Sequence, residues 1–97
     1  KTLALELGGR GIRVNCVAPD MIPTPGDAGL AADSSAMSTE HHPTPLRRMG
    51  STDECASVIA FLASDLASFV TGASIPVDGG TVAGAAWKVG LDGTFRM

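Results

Sequence analysis

The sequence predicts an α/β fold: a parallel strand–helix–strand unit that belongs in a wider sheet with helices on both faces. Apolar patterning along the 97 residues runs helix, strand, long loop, helix, strand. A crossover of that length joins parallel neighbours. Two parallel strands cannot bury both of their faces alone, so they are expected to form part of a larger sheet. The chain also opens on Lys1 in helical letters with no capping residue before them, which is expected of a piece that starts inside a helix.

The first element follows from Leu3 and Leu7, spaced i, i+4 with Ala4 beside them. Gly8 and Gly9 are expected to end it, because glycine takes the left-handed cap without steric cost. Next, Ile12, Val14, Cys16 and Ala18 alternate with Arg13, Asn15 and Val17 up to Pro19, the pattern of a strand packed on both sides. No period holds from residue 19 to residue 45, which contain five of the six prolines. A short helix or two could form in its Ala/Ser/Gly-rich middle, and a loop this long is expected to be a lid or binding loop, or else disordered.

Order returns at Ser51, which with Glu54 three residues on makes a capping box. Asp53 and Glu54 suit the positive end of the helix dipole. Cys55, Val58, Ile59 and Leu62 then give an i, i+3, i+4, i+7 stripe, an amphipathic helix. A turn leads to a short strand around residues 73–77, and Asp78, Gly79 and Gly80 make another turn. In the tail, residues 83–97, two strand-like runs flank an Asp-Gly turn; this is a small hairpin or a frayed surface end.

Composition excludes several classes. The chain is 44% hydrophobic and only 18% charged, as a packed interior requires. A formal charge of −3 argues against a nucleic-acid partner. No apolar run approaches the roughly 20 residues of a membrane helix, and no charged and apolar leader precedes a cleavage site. Cys16 and Cys55 lack metal-ligand spacing and fall on apolar positions, so they read as buried thiols of a reducing, cytoplasmic protein rather than as a disulfide or a catalytic thiol.

The stretch RVNCVAPDMIPTP is where a ligand is expected. In open α/β sheets, ligands bind just beyond the carboxyl ends of strands. Here a buried strand exits into three prolines, and the main-chain groups of Asp20, Met21 and Ile22 cannot all pair in a sheet. They are left to hold a polar ligand.

At these residues the chain resembles the short-chain dehydrogenases/reductases. LALELGGRGIRVNCVAP resembles the end of that family's long catalytic helix and its sixth strand; PLRRMGSTDECASVIAFLASDLASFVTGASIPVDGGT resembles its following helix and last strand. The closest flavour is that of the 3-oxoacyl-carrier-protein-reductase-like and hydroxysteroid-dehydrogenase-like members. The resemblance implies that residues 1–97 are the C-terminal segment of a single Rossmann-type, doubly wound parallel domain, incomplete as given. It implies hydride transfer between NAD or NADP and a small alcohol or ketone, in a dimer or tetramer of like chains.

It also implies roles for named residues. Pro19 shapes the turn, and the main chain along Asp20, Met21 and Ile22 approaches the cofactor, with Ile22 bonding the carboxamide. The Thr24 hydroxyl reaches the carboxamide or the pyrophosphate. Residues 19–45 become the cofactor and substrate loop, with a lid from about residue 26. Asp20 departs from the usual glycine; aspartate tolerates the left-handed conformation, but its charge is unfavourable beside phosphates. The Gly-rich phosphate loop, catalytic serine and Tyr-x-x-x-Lys pair are expected upstream of Lys1, which lies about two helical turns too late to be that lysine. No catalytic residue and no metal ligand is assigned here, and the chain holds no tyrosine.

Other features carry bland readings beside sharp ones. Adjacent His41 and His42 point apart and lack a third ligand, so they read as ordinary lid residues. Arg47 and Arg48 could grip an anion, but such a pair is more often a solvated or interface feature. Asp78-Gly79-Gly80 lacks the repeated carboxylates of a calcium loop and reads as a turn. The rival to an oxidoreductase is a non-catalytic fragment that serves only as a structural or oligomerisation segment.

Overall fold

The computed structural model describes residues 1–25, 41–42, 44–84, 88–90 and 92–96. Helix α1 (Thr2–Leu7) runs into a 3-10 turn (Gly8–Arg10). The α-helix ends at Leu7 with Gly8 as its C-cap, as expected, but the left-handed cap does not fall there: Gly8 has φ −57°, and the left-handed residue is Gly11 at φ 75°. Glycine permits the left-handed cap without demanding it, so the turn tightens for three more residues before reversing.

Strand β1 (Cys16–Pro19) pairs in parallel with β3 (Ser74–Val77), in the register Cys16↔Ser74 to Pro19↔Val77. β1 begins four residues later than the alternation from Ile12 predicts. Arg13 and Asn15 are drawn instead into side-chain bonds with the far segment. Asn15 Nδ2 donates to the Val70 carbonyl at 2.9 Å, and its Oδ1 accepts the Ala73 N–H at 3.1 Å. The packing expected on both faces of β1 is also not present among the described residues: its residues are exposed or half-buried. Cys16 is accordingly an exposed thiol, not a buried one, and Cys55 is half-buried; both are free.

Helix α2 (Thr52–Ala63) forms as the sequence predicts. Ser51 Oγ accepts the Glu54 N–H at 3.2 Å, and the Glu54 carboxylate accepts the Ser51 N–H at 3.1 Å. α2 packs against β1 and β3 through its apolar stripe. Leu62 is buried, Cys55 and Val58 are half-buried, and Ile59 remains exposed. Ala4, Leu62 and Ala67 are the buried apolar residues among those described. A 3-10 turn (Asp65–Ala67) leads toward β3, and the short helix α3 (Thr81–Gly84) follows the Asp78-Gly79-Gly80 turn.

The tail is a hairpin. β4 (Lys88–Gly90) pairs antiparallel with β5 (Phe95–Arg96), and β2 (His41–His42) joins the other edge of β4. The turn uses Gly93 at φ 82°, with the Thr94 N–H and hydroxyl both donating to Asp92 Oδ1. Of the stretch 26–42 expected to hold short helices and the lid expected from about residue 26 to 45, residues 26–40 and 43 lie outside the described residues, and His41–His42 form a strand. Among the described residues, no helix is long and apolar enough to cross a membrane.

Candidate functional site

The carboxyl ends of β1 and β3 open onto a cavity of about 410 Å³. Asp20, Met21 and Ile22 wall one side, Pro76 to Gly80 the other, and Thr44 to Leu46 with Arg48, Gly50 and Glu54 complete it. Parallel pairing carries each strand to the same level, because the ladder extends one step further: the Asp20 N–H donates to the Val77 carbonyl at 3.2 Å.

Two of the exit residues hold each other in an uncommon geometry. Met21 adopts the left-handed region at φ 57°, where a side chain is disfavoured. The Asp20 carboxylate offsets part of that cost by accepting the Met21 N–H at 2.8 Å, and the Met21 carbonyl accepts the Gly50 N–H at 3.0 Å. The left-handed residue is thus Met21, not Asp20. Ile22 follows with its side chain against Gly50, where an added Cβ would lie 3.0 Å from Ile22 Cγ1. Among the described residues, no hydrogen bond engages the Ile22 main chain.

The opposite wall is built on the Asp78 turn. Asp78 is buried, and its carboxylate accepts the Gly80 N–H and the Val82 N–H, each at 2.9 Å. Those two N–H bonds, the Val82 one first, hold its pKa below the ordinary carboxylate value. Gly80 has φ 95° and packs against Pro45; a Cβ there would lie 2.9 Å from Pro45 Cγ. Thr44, fully buried, donates its hydroxyl to the Arg48 carbonyl at 2.9 Å and accepts the Arg48 N–H at 3.2 Å. The Leu46 N–H reaches the Gly79 carbonyl at 3.1 Å.

Arg48 closes the rim. Its guanidinium meets Glu54 through two parallel bonds, Nη1 to Oε1 at 2.8 Å and Nη2 to Oε2 at 2.7 Å. The Arg48 hydrogen bonds, followed by the Ser51 N–H, hold the Glu54 carboxyl at about 2 against an ordinary 4.5, and the same pairing raises Arg48.

Of the residues singled out from sequence, Asp20, Met21 and Ile22 line the cavity; Pro19 and Thr24 are exposed beside it and do not line it. Arg48 is an exposed rim residue paired with Glu54. Thr44, Pro45, Gly50, Glu54 and Pro76 were not legible as wall residues. Their only local signals were the capping box and the Gly-Gly turn, neither of which says what the loop packs on. The lining holds three carboxylates (Asp20, Glu54, Asp78) and one guanidinium (Arg48). Uncharged or cationic groups suit it better than phosphates.

A family model described as enoyl-(acyl carrier protein) reductase matches residues 1–82. A human protein, dehydrogenase/reductase SDR family member 4, is 42% identical over 81 residues, covering 84% of this chain and 29% of the relative. The 3-oxoacyl-[acyl-carrier-protein] reductase FabG of Thermotoga maritima is 51% identical over 82 residues, 84% of this chain and 32% of the relative. A solved short-chain type dehydrogenase/reductase from Mycobacterium ulcerans superposes with a TM-score of 0.75 at 40% identity, covering 84% of this chain and 30% of that one. The chain therefore spans about three tenths of the length of these relatives. Sequence, family model and superposition agree on the same stretch, and the chain belongs to the short-chain dehydrogenase/reductase family, as an incomplete part of its Rossmann-type fold.

Proposed function

We propose that this chain is the nicotinamide-side part of an NAD- or NADP-dependent oxidoreductase that acts on an alcohol or ketone. The observation that carries the reading is the Ile22 main chain. It stands at the carboxyl end of a parallel strand, on a cavity wall, with its N–H and C=O unengaged among the described residues. A carboxamide offers one donor edge and one acceptor edge, which match that pair.

The rest of the site fits the same group. The acid-rich lining disfavours the phosphates and suits the ring end of the cofactor. Pro19 fixes the exit of the strand, and the Asp20 carboxylate accepts the Met21 N–H. Thr24, exposed just beyond, is the residue to which the reading assigns a hydroxyl contact with the carboxamide or the pyrophosphate. When bound, NAD or NADP supplies or accepts the hydride exchanged with the substrate carbon. This chain's own residues bind and orient. The acid/base group is assigned to the preceding part of the domain, and residues 1–97 to its C-terminal segment. The relatives' names, a dehydrogenase/reductase and a 3-oxoacyl reductase, support an alcohol or ketone substrate.

A dimer or tetramer of the intact protein belongs to the same proposal. Two free thiols support a reducing, cytoplasmic setting.

The test uses the intact, isotopically labelled protein. Titration with NAD+ and with NADP+ is expected to move the Ile22 amide resonance with one of the two. Thr24→Val, which keeps the branched shape, is expected to weaken that cofactor about threefold to tenfold, the size of one lost hydrogen bond. No shift at Ile22 with either nucleotide would refute the reading. Unchanged affinity in Thr24→Val would show that this hydroxyl serves only its own loop.

A further inference from the structure

Gly50 is the point at which the rim of the cavity grips the strand exit. Its N–H holds the Met21 carbonyl, and its bare Cα lies against the Ile22 side chain. Residue 50 has no side chain with which to hold itself in place. It is held from both sides by one carboxylate. Glu54 Oε1 accepts Arg48 Nη1 at 2.8 Å, two residues before Gly50. The same oxygen accepts the Ser51 N–H at 3.1 Å and the Ser51 hydroxyl at 3.3 Å, one residue after it. Glu54 Oε2 takes Arg48 Nη2 at 2.7 Å. Arg48 Nη1 also reaches the Met49 carbonyl at 3.2 Å, and the Arg48 main chain is closed on both sides by Thr44 Oγ1.

We propose that Glu54 is a positioning residue for the cofactor loop: by bracketing Gly50 between Arg48 and Ser51, it sets where the Met21 carbonyl and the Ile22 main chain stand. The consequence for cofactor rests on the function proposed above; the effect on the loop does not. The pair is roughly half exposed, with side-chain exposures of 54% and 45%, and exposed ion pairs add little to global stability. Its geometry is nonetheless forked and charge-assisted, which fixes orientation as well as distance. An interaction weak in stability and strict in geometry acts on position. Sequence alone shows Glu54 only as the third residue of a capping box, a role that a glutamine fills as well. The structure adds Arg48, which glutamine cannot hold through two charged bonds.

The experiment has two arms, both on the intact protein. The first follows amide exchange of Gly50 in the absence of cofactor. Glu54→Gln keeps the capping geometry and is expected to lower Gly50 protection about tenfold, equivalent to the loss of one hydrogen bond, while the global unfolding midpoint moves little. Arg48→Lys is expected to do the same to a smaller extent, and Arg48→Lys combined with Glu54→Gln to add nothing beyond Glu54→Gln. The second arm titrates NAD+ or NADP+. Glu54→Gln is expected to weaken cofactor severalfold, with a larger change in KM for the cofactor than in kcat. Gly50→Ala, whose Cβ meets Ile22, is expected to reproduce that split. A lower unfolding midpoint with unchanged Gly50 protection would overturn the proposal and leave Glu54 a helix cap. If the parent protein binds neither nucleotide, the functional reading fails while the exchange arm still decides the positioning.

Discussion

Arg13 Nη1 donates to the carbonyl of Leu62 at 2.7 Å, a bond between residues 49 positions apart. The second guanidinium nitrogen reaches the Ser64 carbonyl at 3.2 Å, and Nη1 also approaches the Val70 carbonyl at 3.4 Å. Helix α2 ends without a glycine cap and with no basic residue in its last turn. The orphan carbonyls of that end are met instead by a cation from the segment that leads into β1, where the helix dipole is negative.

Arg13→Met keeps the apolar stem and removes the donors. The intact protein is expected to lose about 1.5–3 kcal/mol, the range for hydrogen bonds to a charged group. Urea denaturation measures it. Amide exchange would rise at the end of α2 and in residues 64–70. Unchanged stability would mean that water serves these carbonyls as well.

Ser51→Ala removes the N-cap hydroxyl that accepts the Glu54 N–H. Stability is expected to fall by about 0.5–2 kcal/mol. The Ser51 N–H that grips Glu54 is retained, so cofactor affinity should change less than in Glu54→Gln. A loss of affinity as large as that of Glu54→Gln, with stability intact, would place the hydroxyl itself in the site.

Acid should act through two carboxylates. Glu54 is held at about 2 from an ordinary 4.5, chiefly by Arg48 and then by the Ser51 N–H. Asp78 is also lowered, chiefly by the Val82 N–H and then the Gly80 N–H. A folded value below the unfolded one means that the unfolded chain binds protons first as pH falls. The stabilisation is therefore complete above the unfolded value and is lost as pH drops from about 4.5 toward 2. Denaturation midpoints measured through that window should decline, chiefly through Asp78, because the half-exposed Arg48–Glu54 pair adds little to global stability; Glu54→Gln should flatten the decline only slightly. A decline abolished by Glu54→Gln would contradict the assignment.

Gly80→Ala tests the far wall. The new Cβ meets Pro45 at 2.9 Å, and the φ of 95° is one that alanine rarely adopts. A destabilisation of about 1–3 kcal/mol is expected from the strained backbone. Pro45 must also shift, so cavity shape and substrate KM should change with it. A variant as stable as the parent, with the same KM, would show that the turn relaxes freely.

The sequence by itself determined the elements whose causes are local. The capping box at Ser51 and Glu54, the stripe from Cys55 to Leu62 and the Asp78-Gly79-Gly80 turn are each decided by residues within a few positions of one another. The strand-exit position of Asp20, Met21 and Ile22 was legible for the same reason, since a proline ends the pattern there. Tertiary structure decided whatever depends on partners 30 to 60 positions away. β1 starts at Cys16, not Ile12, because Arg13 and Asn15 bond residues 62 to 73. Met21 rather than Asp20 turns left-handed because Gly50 holds its carbonyl and Asp20 its N–H. Arg48 lines a cavity because its loop is held against the Asp78 turn, where the Leu46 N–H donates to the Gly79 carbonyl 33 positions away. Periodicity and capping report the nearest turn of chain; which distant segment completes a hydrogen bond depends on how the elements pack, and the helix dipole and cavity wall acquire their partners only then.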